Sequence, residues 1–220
     1  MKRGFLLTLE GPEGSGKSTH SRLLAGYLIQ KEIKTYCTRE PGSTALGEKI
    51  RQLLLSPLHK NMSVRTELLL YEAARAQLVD EIIIPALGKN ITVICDRFYD
   101  ATFAYQGYGR GIDSDIIKHI NDFAVNKIKP DLTILLDIDV NIGLEKSLHL
   151  SKDPFLGGES DRIEQEDIEF HKRVREGYLN LAQREPERIK VVTVKSKISE
   201  TQLEIQKHIA DLLRRNNYVV

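Results

Sequence analysis

The chain has 220 residues, 41% of them hydrophobic and 29% charged, and a formal net charge of +1. That length can bury a substantial core, and the composition excludes intrinsic disorder. So even a charge balance leaves no global field to draw in nucleic acid or an anionic membrane, and any site for a polyanion must be local.

Met1-Lys2-Arg3 is followed by an apolar run from Phe5, but Thr8 interrupts the run and Glu10 stops it, too short for an export signal. No other stretch approaches the roughly 20 apolar residues of a membrane span, so a cytoplasmic location is expected. Cys37 and Cys95 lack metal-ligand spacing and read as free, buried thiols in a reducing compartment, over a disulfide as the alternative.

In chain order, strands are expected at Phe5–Glu10, Thr35–Thr38, Thr92–Asp96, Leu132–Asp137 and Val191–Val194. They are rich in Val, Ile, Leu and Thr, as strands covered on both faces should be. Helical patterns alternate with them. Leu23, Leu24, Tyr27 and Leu28 make one apolar face after the first strand; Phe170, Val174, Tyr178 and Leu181 make another late in the chain. A long helix is expected from Val64 to about Leu87, with Pro85 marking its last turn. Ser151–Asp161 (SKDPFLGGESD) breaks the rhythm with a proline, two adjacent glycines and mixed charge, and reads as a mobile loop between two helices. The order implies an α/β fold, a five-stranded parallel sheet with crossover helices.

Gly11-Pro12-Glu13-Gly14-Ser15-Gly16-Lys17-Ser18 fits G-x-x-x-x-G-K-[ST], directly after a strand and opening a helix. Glycines let successive backbone N–H groups face one point, and the helix N-terminus adds positive partial charge there. Lys17 would add a full charge on the β- and γ-phosphates of ATP, and Ser18 would offer a hydroxyl oxygen to Mg²⁺. The segment from Gly11 through Thr19 is the expected ATP site. A regulatory GTPase is the rival class. It would need N-K-x-D, but Asn126-Lys127-Ile128-Lys129 ends in lysine, and no D-x-x-G occurs.

Ligands of open parallel sheets gather at the carboxyl ends of strands. Thr38-Arg39-Glu40-Pro41-Gly42-Ser43-Thr44 follows the second strand, and Asp96-Arg97-Phe98-Tyr99 ends the third. Each places an arginine, a planar donor fork suited to phosphate oxygens, beside the crevice the glycine loop occupies.

These residues resemble the thymidylate kinase family. Thr38–Thr44 is similar to its TREPGGT segment, with Ser43 in place of a glycine. Asp96–Gly111 (DRFYDATFAYQGYGRG) resembles DRYxxSxxAYQGxxRG, with Ala101 where a serine is usual. Leu70–Gln77 (LYEAARAQ) and Asp161–Glu166 (DRIEQE) resemble the long-helix and lid-closing segments. The likeness runs from the glycine loop to about Leu181 in the family's order.

The resemblance implies a three-layer P-loop fold, a single domain over residues 1–220 with a lid insert at about 151–162. It implies phosphorylation of dTMP to dTDP by ATP with Mg²⁺, and a homodimer; a kinase of another pyrimidine nucleotide, such as dUMP, or of a deoxynucleoside is the alternative. Arg39 and Arg97 would hold the acceptor phosphate, and Glu13 would meet the deoxyribose 3′-hydroxyl region and the metal's water shell. Tyr71 would stack on the base and Arg75 would donate to its O4. Thr102 and Gln106 would approach the base, Tyr105 would stand where a 2′-hydroxyl would project, and Asp96 would help Ser18 hold Mg²⁺. Tyr71 could instead be plain helix core, and Tyr105 packing.

Some members carry a catalytic arginine within the P-loop; here Gly14 takes that place. Relatives with glycine there place arginines in the lid, yet none lies between Ser151 and Asp161. Arg162, expected to begin the helix after the loop and to swing inward on closure, is then the leading lid cation, with Lys152 second. The Gly157-Gly158 pair would suit the hinge.

Overall fold

The computed structural model describes residues 3–151 and 161–218. Most of the expected lid, including Lys152 and Gly157-Gly158, lies outside them. The elements run β1 (Leu6–Glu10), α1 (Lys17–Gln30), β2 (Thr35–Arg39), α2 (Ala45–Leu55), α3 (Val64–Leu78), α4 (Ile84–Gly88), β3 (Thr92–Asp96), α5 (Tyr99–Thr102), α6 (Ser114–Ala124), β4 (Leu132–Asp137), α7 (Val140–Ser151), α8 (Ile168–Arg184), β5 (Ile189–Thr193) and α9 (Ile198–Arg215).

The five strands form one parallel sheet in the order β2-β3-β1-β4-β5. Inward alternation on β1 sends Leu7 and Leu9 toward α1 and α9, and Leu6 toward α3, α4 and Phe98 on the other face. Each such leucine, fully removed from water, stabilises the fold by about 1.5–3 kcal/mol. The expectation of strands covered on both faces holds for β1, β3 and β4 but not at the edges. On edge strand β2, Tyr36 and Cys37 are exposed, and on edge strand β5 Val191 is exposed. Cys37 is therefore not the buried thiol expected; Cys95, on the covered strand beside it, is.

The late helical face is buried at Phe170, Val174, Tyr178 and Leu181. In α1 only Leu24 and Leu28 are inside, and Leu23 is exposed, because the stripe that meets the sheet runs through Ser21, Leu24 and Leu28. The last strand begins two residues earlier than expected, at Ile189. Pro85 does not end its helix at once. In a regular helix its ring would crowd the Glu81 carbonyl, and it has no N–H to donate; the chain passes through a π-helical turn at Val79–Ile83 before finishing at Gly88.

Strand order reverses on either side of β1, which lies between β3 and β4. The crevice at such a switch point opens outside the carboxyl ends of these strands. The glycine loop leaves β1 there.

Candidate active site

The loop from Gly11 to Ser18 runs into α1, whose N-cap, Gly16, has the left-handed φ of 88°. Gly14 is also left-handed (φ 66°), and a Cβ there would lie 1.9 Å from the Gly143 carbonyl oxygen of α7. Loop and helix touch backbone to backbone, so no arginine fits at position 14 without moving α7.

Lys17, the first residue of α1, is buried, only 8% exposed. Its Nζ donates to the carbonyls of Gly11 (3.0 Å) and Pro12 (2.8 Å) and to Ser15 Oγ (3.3 Å). Burial first, then the charge of Arg97, lower its pKa to about 8. Ser18 Oγ donates to Asp96 Oδ2, joining the start of α1 to the end of β3. A hydroxyl and one carboxylate suit Mg²⁺, which takes few protein oxygens and completes its shell from nucleotide phosphates and water. Among the described residues no cluster of three or more His, Cys, Asp or Glu could hold a metal by itself.

Facing the loop across a cleft of about 510 Å³ stand the residues of the other strand ends. Arg97 sits in the left-handed region (φ 69°). Its Nη2 donates to Glu13 Oε2 (2.8 Å), and its Nη1 donates to the Gly11 carbonyl (3.0 Å) and the Tyr178 hydroxyl (3.1 Å). The guanidinium lies 4.7 Å over the Tyr105 ring, and the Tyr105 hydroxyl donates to Glu13 Oε1 (2.7 Å). Burial would raise the pKa of Glu13, but Arg97 and Lys17 outweigh it and hold the carboxyl at about 2. Glu13 is thus an anion clamped between two cations, and Arg97 is fixed on three sides.

Arg39 also lines the cleft, exposed, with Nη2 donating to both oxygens of Glu48 (2.9 and 3.0 Å). Ser43, where the resembled segment has glycine, adopts φ 68°. Its N–H donates to Glu48 Oε1 (2.7 Å), so the turn is held in a conformation that glycine enters at less cost.

At the far end, Tyr71 and Arg75 lie one helical turn apart on α3 and both line the cleft. Arg75 is 1% exposed, held by Glu40 Oε2 (2.8 Å), Thr102 Oγ1 (2.8 Å), Asn121 Oδ1 (2.8 Å), the Phe98 carbonyl (3.3 Å) and Glu72. Burial alone would lower its pKa, but Glu40 and Glu72 overcome that and raise it. Thr102 and Gln106 are buried in the same wall, and Gln106 Nε2 donates to Glu67 Oε1 (2.9 Å).

Arg162 stands elsewhere than expected. Asp161 Oδ1 accepts from the N–H groups of Ile163 and Glu164 (2.9 Å each), which makes a turn, and α8 begins only at Ile168, capped by Asp167. Arg162 is 6% exposed: Nε donates to the Leu54 carbonyl (2.9 Å) and Nη1 pairs with Glu67 Oε2 (2.6 Å). Asp161, Ile163 and Glu164 line the cleft; Arg162 does not. A buried carboxylate on α3 outbids the cleft for this guanidinium.

Arg51 was missed. It lies on α2 one turn after Glu48, donates to the Pro41 carbonyl (3.0 Å) and lines the cleft. Nothing in its local sequence sets it apart; only the turn at Pro41 brings it near Arg39. Glu10 and Tyr178 were also missed, one hidden in a strand and the other in a helix face. Glu10 accepts from the Phe98 N–H (2.6 Å) and the Tyr178 hydroxyl (2.7 Å). Burial, with the charge of Asp100, pushes its carboxyl up to about 8, while Arg97, Tyr178 and Phe98 pull the other way.

A loop built for polyphosphate, facing guanidinium groups across a cleft with room for a second nucleotide, defines the class: a P-loop enzyme that moves a phosphoryl group between two anions. Comparison with known proteins narrows it. Residues 9–205 match the thymidylate kinase family model. The chain is 44% identical over 213 residues to thymidylate kinase of Geotalea daltonii, covering 97% of this chain and 100% of that one. It is 48% identical over 204 residues to that of Carboxydothermus hydrogenoformans, covering 93% and 96%. A crystal structure of thymidylate kinase from Ehrlichia chaffeensis superimposes with a TM-score of 0.76 at 35% identity, covering 94% of this chain and 99% of that one. The chain belongs to the thymidylate kinase family, and its reaction is the phosphorylation of dTMP to dTDP by ATP.

Proposed function

We propose that the glycine loop holds ATP, with Lys17 on its terminal phosphates, and that Arg97 and Arg39 hold the 5′-phosphate of dTMP in line with it. The observation that carries this is the convergence on one cleft of Lys17 and Ser18 from α1, Asp96 and Arg97 from the end of β3, and Arg39 from the end of β2. The acceptor is a phosphate monoester with a second pKa of about 6, largely dianionic at pH 7, and needs no general base. The reaction needs cations, because two polyanions must approach and charge spreads over the moving group. Ser18 and Asp96 would hold Mg²⁺, which supplies charge neutralisation on the ATP phosphates when bound.

At the other end, Tyr71 stacks on the thymine, while Arg75, Thr102 and Gln106 meet its edge. Tyr105, held upright by Glu13, fills the space beside the sugar's 2′ carbon. The test is ADP release across a panel of nucleoside monophosphates, run on the native protein and on Tyr105→Ala. The native protein should use dTMP over dUMP by a modest factor, since one methyl group is worth about 1–3 kcal/mol, and should reject the ribose analogue. Tyr105→Ala should narrow the deoxyribose preference; an unchanged preference would show that Tyr105 only packs.

The working unit is a cytoplasmic homodimer. Leu69 of α3 and Ile116 and Phe123 of the adjacent α6 are exposed, an apolar face that a second copy would cover. A light-scattering mass of 25.0 kDa rather than twice that would exclude it. Among the described residues no helix is long and apolar enough to cross a membrane.

A further inference from the structure

Arg97 is held from behind as well as from within the cleft. Its backbone N–H donates to the Leu9 carbonyl (3.0 Å), and the next N–H, that of Phe98, donates to Glu10 Oε1 (2.6 Å). These two bonds tie the left-handed turn at Arg97 to the end of β1. The other oxygen of the same carboxylate, Glu10 Oε2, accepts from the Tyr178 hydroxyl (2.7 Å), and that hydroxyl accepts from Arg97 Nη1 (3.1 Å). Glu10 is 0% and Tyr178 2% exposed, and neither lines the cleft.

With Glu10 ionised, the form that burial confines to pH above about 8, the direction of this chain is fixed by chemistry. Arginine can only donate, so the tyrosine oxygen accepts from it, and the single hydroxyl proton must go to the remaining partner. Glu10 therefore has to present acceptors on both oxygens, one for the backbone past Arg97 and one for the relay to its side chain. Three of the five guanidinium N–H groups are taken up by Gly11, Tyr178 and Glu13, which leaves Nε–H and one Nη2–H for a ligand. We infer that Glu10 and Tyr178 are positioning residues for phosphate recognition: they aim Arg97 at the acceptor's phosphate without touching it. The inference rests on the proposed reading of Arg97 as a phosphate-binding group.

A positioning role predicts a loss that falls mainly on the phosphate, because Arg97 meets it directly, whereas the base and sugar residues are reached only through Glu13, Tyr105 and Phe98. Dissociation constants for dTMP and for thymidine, which lacks the phosphate, separate the possibilities. Tyr178→Phe keeps the ring and its edge contact on Tyr105, whose centroid lies 6.1 Å away, and removes only the hydroxyl. It should weaken dTMP by about tenfold, the scale of losing one hydrogen bond to a charged group, and leave thymidine within about twofold. Measured above pH 8, where the carboxyl is ionised, Glu10→Gln should give the same selective loss, since an amide offers one acceptor where two are needed. In the Tyr178→Phe background it should add little to that selectivity. Should Glu10→Gln fail to fold, Tyr178→Phe decides alone.

Equal weakening of dTMP and thymidine by Tyr178→Phe would make the tyrosine a packing residue and overturn the inference. So would unchanged dTMP binding, which would mean Glu13 and Gly11 suffice to hold Arg97. Arg97→Ala separates this from the underlying reading. If Arg97→Ala itself fails to weaken dTMP selectively over thymidine, the assignment of Arg97 to phosphate is what has failed.

Discussion

Lys17→Ala should lower kcat by about 10³-fold, the scale of removing one preorganised cation or donor from a phosphoryl-transfer site, while KM for dTMP should stay within about threefold. The reason lies in what surrounds the ammonium. Its hydrogens rest on the Gly11 and Pro12 carbonyls and Ser15 Oγ. Burial and Arg97 disfavour the charge there, and a polyphosphate beside it would offset both effects. Charge that builds on the transferred group is met by this ammonium in a partly dry cleft, where each cation acts more strongly than in water. Alanine also removes this donor from the Pro12 carbonyl and Ser15 Oγ, while the Gly11 carbonyl keeps Arg97, so a modest drop in melting temperature should accompany the kinetic loss. Steady-state ADP release read beside a thermal melt separates the two effects. A folded variant with near-native turnover would remove the loop from catalysis.

Arg162→Ala is expected to unfold the protein more easily rather than slow its chemistry. The guanidinium is 6% exposed and Glu67, its partner, 1%. Breaking a buried pair by removing one side costs about 3–5 kcal/mol. Here Glu67 keeps Arg110 and Gln106 as donors (3.0–3.1 and 2.9 Å), so the lower end applies. For a chain of this size each kcal/mol moves the melting temperature by roughly 2–4 °C. Turnover per folded molecule should change by less than about threefold. This replaces the expectation that Arg162, as a lid cation, would cost on the order of 10²-fold in kcat. A hundredfold loss of kcat with an unshifted melt would restore the lid role and show that the Glu67 pair opens during the reaction. Lys152, the other lid candidate, lies outside the described residues, and its alanine variant belongs in the same assay.

Much was legible in the sequence because it is encoded locally. Strand Phe5–Glu10, the glycine loop and the helix behind it each follow from neighbouring residue types: β-branched and leucine runs, glycines that permit positive φ, a lysine before the first helical turn. The same holds for the Arg39 and Arg97 turns and for the helix that sets Tyr71 and Arg75 one turn apart. Their arrival in one cleft follows from a general property of parallel sheets, that successive strands all end on the same side.

What only the tertiary structure decided was competition between partners distant in the chain. Arg162 reads as a lid cation until Glu67, 95 residues earlier, is seen waiting beneath it. That the loop folds over Lys17, with its Nζ on the Gly11 and Pro12 carbonyls, is visible only in three dimensions. Cys37 reads as buried because its strand looks like the others, but the order β2-β3-β1-β4-β5 puts it on an edge. Tyr178 reads as core, and its ring is; its hydroxyl meets Glu10 across 168 positions of sequence and through it supports Arg97. A charged or hydroxyl group that leaves water must find a partner, since burial without one costs about 1–3 kcal/mol or more. Which partner it finds is settled by three-dimensional proximity, a quantity that local pattern does not carry.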